Sequence, residues 1–433
     1  MDLLEDKLDL EQIELIGDEQ AKILLLIYYN YFDKLKTYDI DFLMDTKDNN
    51  PYLLAAWCNH IHIMEFLEAK SFDIDIKTNN GENAYLLAAL LGQINVMEYL
   101  EKKRFDINIK NSGGLNAYLM AALNGKINVM EYLEKKRFDI NIKNSGGLNA
   151  YLMAALNGKI NVMELLETKG VNIHIKTNYG NNVYLIAAIY GQIQVMEFLE
   201  EKGFDINIKN HEGSNAYLLA ALNGKLNVME LLETKGFDIN IKDNYNRNSY
   251  LLAISNMQTN IVKYLEDKKC DIRVKADDGI DAYLLAAWTG QLEIMMFLEE
   301  NEFNINVKNN KGMNAYLLAA SNGKINIMEF LEEKGFDIRV KADGGIDAYL
   351  ISVWKGQIKS MEYLEKKGFD INCKADDGTN AYLLAVQVGD IKIMEYLKEK
   401  GFDINIKNNK DLDAYELAKL YGQNDVIKYL ENK

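Results

Sequence analysis

The chain has 433 residues, a formal net charge of −16, 48% hydrophobic residues and three cysteines. So acidic a balance excludes a general nucleic-acid binder, which needs a basic face to displace counterions, and it favours a soluble protein able to steer a basic partner. Cys58, Cys270 and Cys373 have no paired spacing, so a reducing compartment is expected rather than a disulfide framework.

The opening, MDLLEDKLDLEQIELIGDEQ, is acidic and lacks the basic-then-apolar order of a secretory signal. The densest apolar run, ILLLIYY from Ile23, is too short to span a bilayer. A cytoplasmic, soluble protein without membrane contact is therefore expected. Within residues 1–44, AKILLLIYYNYFDKLKTYDIDF reads as an N-terminal helical capping segment.

From residue 45 onward the chain repeats itself, and an internal period overrides any domain count taken from length. Ile94–Glu131 is identical to Ile127–Glu164. The tyrosine of AYLLAA serves as a ruler: Tyr52, Tyr85, Tyr118, Tyr151, Tyr184, Tyr217, Tyr250, Tyr283, Tyr316, Tyr349, Tyr382 and Tyr415 stand 33 residues apart without insertion. Leucine follows each by 15 residues, from Leu67 to Leu430, and Asn or Asp precedes each by two, from Asn50 to Asp413.

Each fixed position has a physical reading. Asn or Asp before Ala-Tyr is a helix N-cap, and Pro51 suits the first helical position because its missing N–H is not needed there. AYLLAAL is apolar all round, which predicts a short helix buried on most sides. Seven residues after the tyrosine stands Gly in ten units, with Asn59 and Met257 in the other two. Glycine there ends the helix in a left-handed conformation. In QINVMEYLEKK the residues Ile94, Val96, Met97 and Leu100 form one stripe of a second helix. FDINIK then alternates like an extended segment, and a turn such as TNNGEN (Thr78–Asn83) closes the unit. One such unit cannot bury its own apolar face, so neighbours must stack.

At this point the residues resemble the ankyrin repeat. The matching features are the finger Gly81, Ala88 and Ala89 of the first helix, the inter-helix Gly92, the VMEYL core of the second helix, and Gly401, Asp403 and Asn405 of the closing tail. The resemblance covers residues 45–433 and implies an all-α solenoid of twelve stacked helix-turn-helix units with β-turn fingers. With layers about 10 Å apart, the twelve would extend on the order of 100 Å. The family's Thr-Pro-Leu-His opening stands here as Asn83–Leu86, which removes a histidine that ties loops together. Tyr85, Phe105 and Ile109 are larger than the family favours. In the last unit Glu416 and Lys419 replace Leu and Ala, as suits an outer face that meets water.

No nucleophile elbow, phosphate loop or zinc-protease signature is present, and no enzyme activity, cofactor or metal is expected. CNHIH (Cys58–His62) crowds one Cys and two His into an inter-helix turn with no second ligand cluster, which argues against a metal. Binding remains. Five residues after the ruler all three tryptophans, Trp57, Trp288 and Trp354, fall in one row with Leu90 and other leucines; the next position adds Tyr190 and Tyr421. The resemblance puts these positions on the concave, partner-facing side, where Trp and Leu have the composition of a hot spot. Packing against the next unit is the competing explanation, and Trp288 and Trp354 lie in segments that recur 66 residues apart, which a two-unit duplication would explain. Late fingers carry Asp277, Asp278, Asp343, Asp376 and Asp377, beside a lysine row from Lys77 to Lys407; this acidic patch would steer a basic partner. The function expected is a monomeric, non-enzymatic scaffold for a protein partner. The alternatives are a substrate hydroxylated at Asn108, Asn141, Asn207, Asn240 or Asn405, as the resemblance implies, and a structural spacer with no partner site.

Overall fold

The computed structural model describes residues 8–44, 46–47, 49–402 and 404–432; Asp403, one of the tail positions above, lies outside them. Among the described residues there are 27 α-helices and no strands, only three isolated bridges such as Lys242 with Asn248. The chain divides into two compact units, Met1–His211 and Glu212–Lys433.

In the first unit α1 (Leu10–Glu14), α2 (Glu19–Tyr28) and α3 (Phe32–Leu35) precede the repeats. Helix α2 packs against Pro51–Trp57, the first helix of the first repeat. The turn between the helices of that repeat is held to this segment through His62, whose Nε2 lies 2.8 Å from Asn30 Oδ1, and His60, whose Nε2 lies 3.4 Å from the Tyr28 carbonyl. The first helices then stack in succession, Pro51–Trp57, Ala84–Leu91, Ala117–Leu123, Ala150–Leu156 and Val183–Tyr190, and each packs on the second helix of its own repeat. In the second unit the same arrangement runs from Ala216–Leu222 to Ala414–Leu420. Glu416 and Lys419 are exposed there, as an end face requires.

Asn83 Oδ1 accepts from the Leu86 N–H at 3.0 Å, and equivalent caps start the other first helices. Such a cap stabilises a helix by about 1 kcal/mol. Behind it the first helix is buried almost throughout, from Ala84 to Ala89 in the second repeat. In the second helix Val96, Met97 and Leu100 are buried while Ile94 is only half-buried. The left-handed position after the first helix holds regardless of residue type: Gly92 has φ 89°, Asn59 φ 62° and Met257 φ 55°.

FDINIK differs from its expected extended form. It contains a turn, because the Asp106 carboxylate accepts from the Asn108 N–H at 2.9 Å and folds the segment on itself. A side chain that bonds two residues ahead outcompetes the extended state that alternation suggests. The fingers are joined within each unit by one backbone bond per interface. The Ser112 N–H donates to the Asn80 carbonyl at 2.9 Å in the first unit, and the Asp376 N–H to the Gly344 carbonyl at 2.9 Å in the second.

A further set of side-chain bonds ties neighbouring repeats together. In eleven of the twelve repeats the ruler tyrosine, buried in all of these but the last, donates its hydroxyl to a glutamate 16 residues on, as Tyr85 does to Glu101 at 2.9 Å. Where the following repeat supplies a lysine at the matching place, it pairs with the same carboxylate, as in Lys103–Glu68 at 2.9 Å and Lys400–Glu365 at 2.9 Å. At Glu68, Glu101, Glu233 and Glu365 a tyrosine hydroxyl of the following repeat joins as well, as Tyr99 does at 2.7 Å, whereas the Tyr363 hydroxyl makes no such bond to Glu332. Burial by itself would raise the carboxyl of Glu68, but Lys103, Tyr99 and Tyr52 outweigh it and hold it below its ordinary value. Burial and the same carboxylate push the Tyr52 hydroxyl far above its ordinary value.

Candidate functional site

The ruler position sets the phase of the first helix, and that phase decides what is displayed. Tyr283 to Ala287 are buried, so the next residue is the first to reach the rim. Trp288 is there, 41% exposed, with Trp57 at 37% and Trp354 at 46%. Leu90 is half-buried at the same place, and Ser321 is buried. Tyr190 and Tyr421, one residue further on, are exposed. The backbone beneath the row is tied down: Asn322 Nδ2 donates to the Trp288 carbonyl at 2.7 Å, and Asn124 Nδ2 to that of Leu90 at 2.7 Å. The carbonyls of Trp288 and Leu90 are thus fixed by the next repeat, while the three indoles are partly exposed.

Trp57, Leu90 and Tyr190 belong to Met1–His211; Trp288, Trp354, Tyr421 and all five aspartates belong to Glu212–Lys433. The aspartates occupy three fingers and are exposed. The Asp277 N–H donates to the Tyr245 carbonyl and that of Asp343 to the Lys311 carbonyl, both at 3.1 Å. Asp278 and Asp377 close turns inside their fingers, accepting from the Ile280 and Thr379 N–H groups at 3.1 and 2.9 Å. Asp376 lies over the preceding finger: a Cβ on Gly345 would come within 2.2 Å of its Oδ1. Among the described residues none of the five forms an ion pair, and the neighbouring Lys275 instead lies 3.8 Å from Asp281. These carboxylates shape the fingers and still present uncompensated charge.

Two exposed aromatics escaped the sequence reading. Tyr179 is 71% exposed and Tyr245 50%, five residues before their rulers at a fingertip position held elsewhere by Asn80, Gly113 or Gly146. The signal was present, since both break the copying in the way the tryptophans do. The Arg247 guanidinium lies 4.9 Å from the Tyr245 ring and pairs with Asp243 at 2.6 Å and Glu212 at 2.9 Å. Tyr245, Arg247 and Glu212, together with Asp277 and Asp278, border a 360 Å³ cavity among the fingers.

The other marked residues are accounted for locally. His60 and His62 hold the N-terminal helices, and burial pushes the Cys58 thiol up to about 11. Asn108, Asn141 and Asn207 occupy the same turn with exposed side chains. Asn405 is exposed as well, whereas Asn240 Oδ1 accepts from the Asp271 N–H at 2.8 Å and is held by the next repeat.

The family model described as ankyrin repeats (3 copies) matches residues 18–144, 118–210, 185–276 and 251–342. The match begins inside the segment assigned to the N-terminal cap. The helix pairs after residue 342 continue the same packing within the second unit. No curated protein matches the chain.

Proposed function

The chain belongs to the ankyrin repeat family, whose units generally serve as protein–protein interaction modules, and from that premise we propose that it is a non-enzymatic scaffold for a basic polypeptide partner. The partner lies on the concave side implied by the family architecture, against the tryptophan row and the acidic fingers of Glu212–Lys433. One observation carries this: every tryptophan in the chain occupies the same repeat position, and each is 37–46% exposed at the end of an otherwise buried helix. Burying a partly exposed indole, a large side chain with few rotatable bonds, yields large contact area at little ordering cost. The five unpaired aspartates set the sign of the partner's charge and would act mainly on its rate of capture.

Replacing Trp288 and Trp354 together by Ala tests the assignment. The variant keeps its circular dichroism and melting behaviour, because the indoles are at the rim. Its affinity for a partner identified by cross-linking to the native protein falls at least about tenfold; unchanged affinity removes the site. The competing role as a hydroxylation substrate rests on the exposed Asn108, Asn141 and Asn207, and intact-mass measurement of native protein would show it as oxygen-sized increments.

A further inference from the structure

The tenth repeat departs from the others at two places in its core. Three residues after the ruler stands Ala in eleven repeats and Ser352 in the tenth. Eleven residues after it stands Val or Ile in eleven repeats and Ser360 in the tenth. Both serines are fully buried, and so are their counterparts elsewhere in the chain. Ser352 finds an acceptor: its Oγ donates to the Ala348 carbonyl at 2.7 Å, a bond back along the helix that competes with the backbone ladder. Ser360 finds none, and its hydroxyl makes no hydrogen bond among the described residues. Where Val129 or Ile327 packs methyl groups, the tenth repeat loses apolar contact and desolvates a polar group without return.

The same helix, Ile358–Lys366, carries a second unpaired group. The Tyr363 hydroxyl is buried and makes no hydrogen bond, although Tyr99, Tyr132, Tyr264 and Tyr396 at the same place each donate to a glutamate of the preceding repeat at 2.7 to 2.9 Å. Among the described residues no other second helix of a repeat holds buried side-chain oxygens left unbonded. Some connections persist. Tyr349 donates to Glu365 at 3.0 Å within the repeat, and Lys367 pairs with Glu332 of the ninth at 2.6 Å. That lysine is exposed, and an ion pair with one partner in solvent contributes little.

We infer that the tenth repeat is an opening point built into the stack: helix Ile358–Lys366 separates locally from its core while the ninth and eleventh repeats stay folded. A repeat array allows this because each repeat touches only its neighbours, and a stretch of low local stability opens below the free energy of global unfolding. Opening exposes Met361 and Leu364, which are buried in the closed form. Helix Ala348–Trp354 packs on Ile358–Lys366, so the closed form is also what supports Trp354. The inference stands apart from the capture of a partner and is tested without one.

Hydrogen exchange of the full chain, read by mass spectrometry on peptic fragments, reports openings of this kind. Amides of Ile358–Lys366 exchange at least about tenfold faster than those of the flanking second helices, Ile325–Glu333 and Ile391–Glu399. Ser360→Val restores the residue type of the sister repeats, so it slows exchange in this helix by about tenfold and leaves the fragments of Met1–His211 unchanged. The converse variant, Ile327→Ser, brings fast exchange to Ile325–Glu333. Wild-type protection of Ile358–Lys366 equal to that of its neighbours overturns the proposal. So does a Ser360→Val chain that exchanges as the wild type does, or one whose gain is spread evenly over the second unit, because the serine would then act on global unfolding. An Ile327→Ser chain whose ninth repeat stays protected overturns it as well.

Discussion

The second and third repeats, copied residue for residue over most of their length, and the seventh, Asn248–Asp267, answer the same structural demand differently. In the copied pair Glu101 takes Tyr85 and Tyr132 hydroxyls, both at 2.9 Å, and the Lys136 ammonium. In the seventh, Glu266 takes only the Tyr250 hydroxyl, at 2.8 Å. Phe297 and Asn301 stand where a tyrosine and a lysine would complete the set, and among the described residues no cation pairs with Glu266. The helix turn differs as well, with Gly92 in the left-handed position of one and Met257 in that of the other. Because each repeat contacts only its neighbours, stability is close to a sum of local and interface terms. One interface can therefore lose the glutamate's cross-repeat partners while the fold persists, its finger bond from the Asp277 N–H to the Tyr245 carbonyl remaining.

The sharpest way to break this comparison is to remove the two carboxylates separately. Glu101→Ala strips three hydrogen-bonding partners, two of them on largely buried rings, and destabilises by about 2–3 kcal/mol. Glu266→Ala strips one and destabilises by about 1 kcal/mol. Urea unfolding followed by circular dichroism measures both. Equal losses would show that the connections across the interface contribute nothing beyond the tyrosine bond within the repeat.

Much of this was legible in the sequence because helix caps, buried stripes and left-handed turns are local demands that each 33-residue copy must meet again. Asn83, Tyr85, Gly92 and Leu100 could be placed from spacing alone. The glutamates could not: Glu68 or Glu101 in isolation is one more charged residue on an amphipathic helix, and its partners lie 16, 31 and 35 residues away. The row of tryptophans was readable because it departs from a constant framework. Tyr179 and Tyr245 depart in the same way, but they sit in fingers whose composition varies so much that two aromatics did not stand out. The turn inside FDINIK was hidden because strict alternation describes an extended strand equally well, and only the side-chain bond from Asp106 to the Asn108 N–H decides between them.

A smaller effect is expected at the left-handed turn. Met257 holds φ 55° while its side chain is 55% exposed, so little packing opposes its removal. Met257→Gly relieves the clash between Cβ and the backbone and stabilises by about 1 kcal/mol. Asn59 occupies the same conformation at φ 62°, but asparagine tolerates it, so Asn59→Gly changes stability by only a few tenths of a kcal/mol, about the range of an ordinary surface substitution. If the two substitutions act alike, backbone strain is not what distinguishes the seventh repeat.

The smallest effect is also the most specific, because it has a sign that depends on pH. Burial raises the carboxyl of Glu266 above its ordinary value of 4.5, and Tyr250 and Lys263 do not offset it. The folded chain then holds a proton that the unfolded chain has released, so this group's contribution falls as pH rises from 4.5 through the raised value. Glu233 shows the opposite case. Burial would raise it too, but Lys268, Tyr264 and Tyr217 outweigh that and hold it below its ordinary value, so its contribution is present above 4.5 and lost as pH falls through the depressed value. Asn301 occupies the place of Lys268, and its side chain makes only a bond within its own helix turn, to the Phe297 carbonyl at 2.8 Å. Asn301→Lys should convert Glu266 to the behaviour of Glu233. The gain is about 0.5 kcal/mol at pH 7, modest because the lysine head stays in solvent, and it vanishes at a pH low enough to protonate Glu266 in both chains. Unfolding free energies measured across that range check this: a difference that does not change with pH would mean that the new lysine acts by something other than pairing with Glu266.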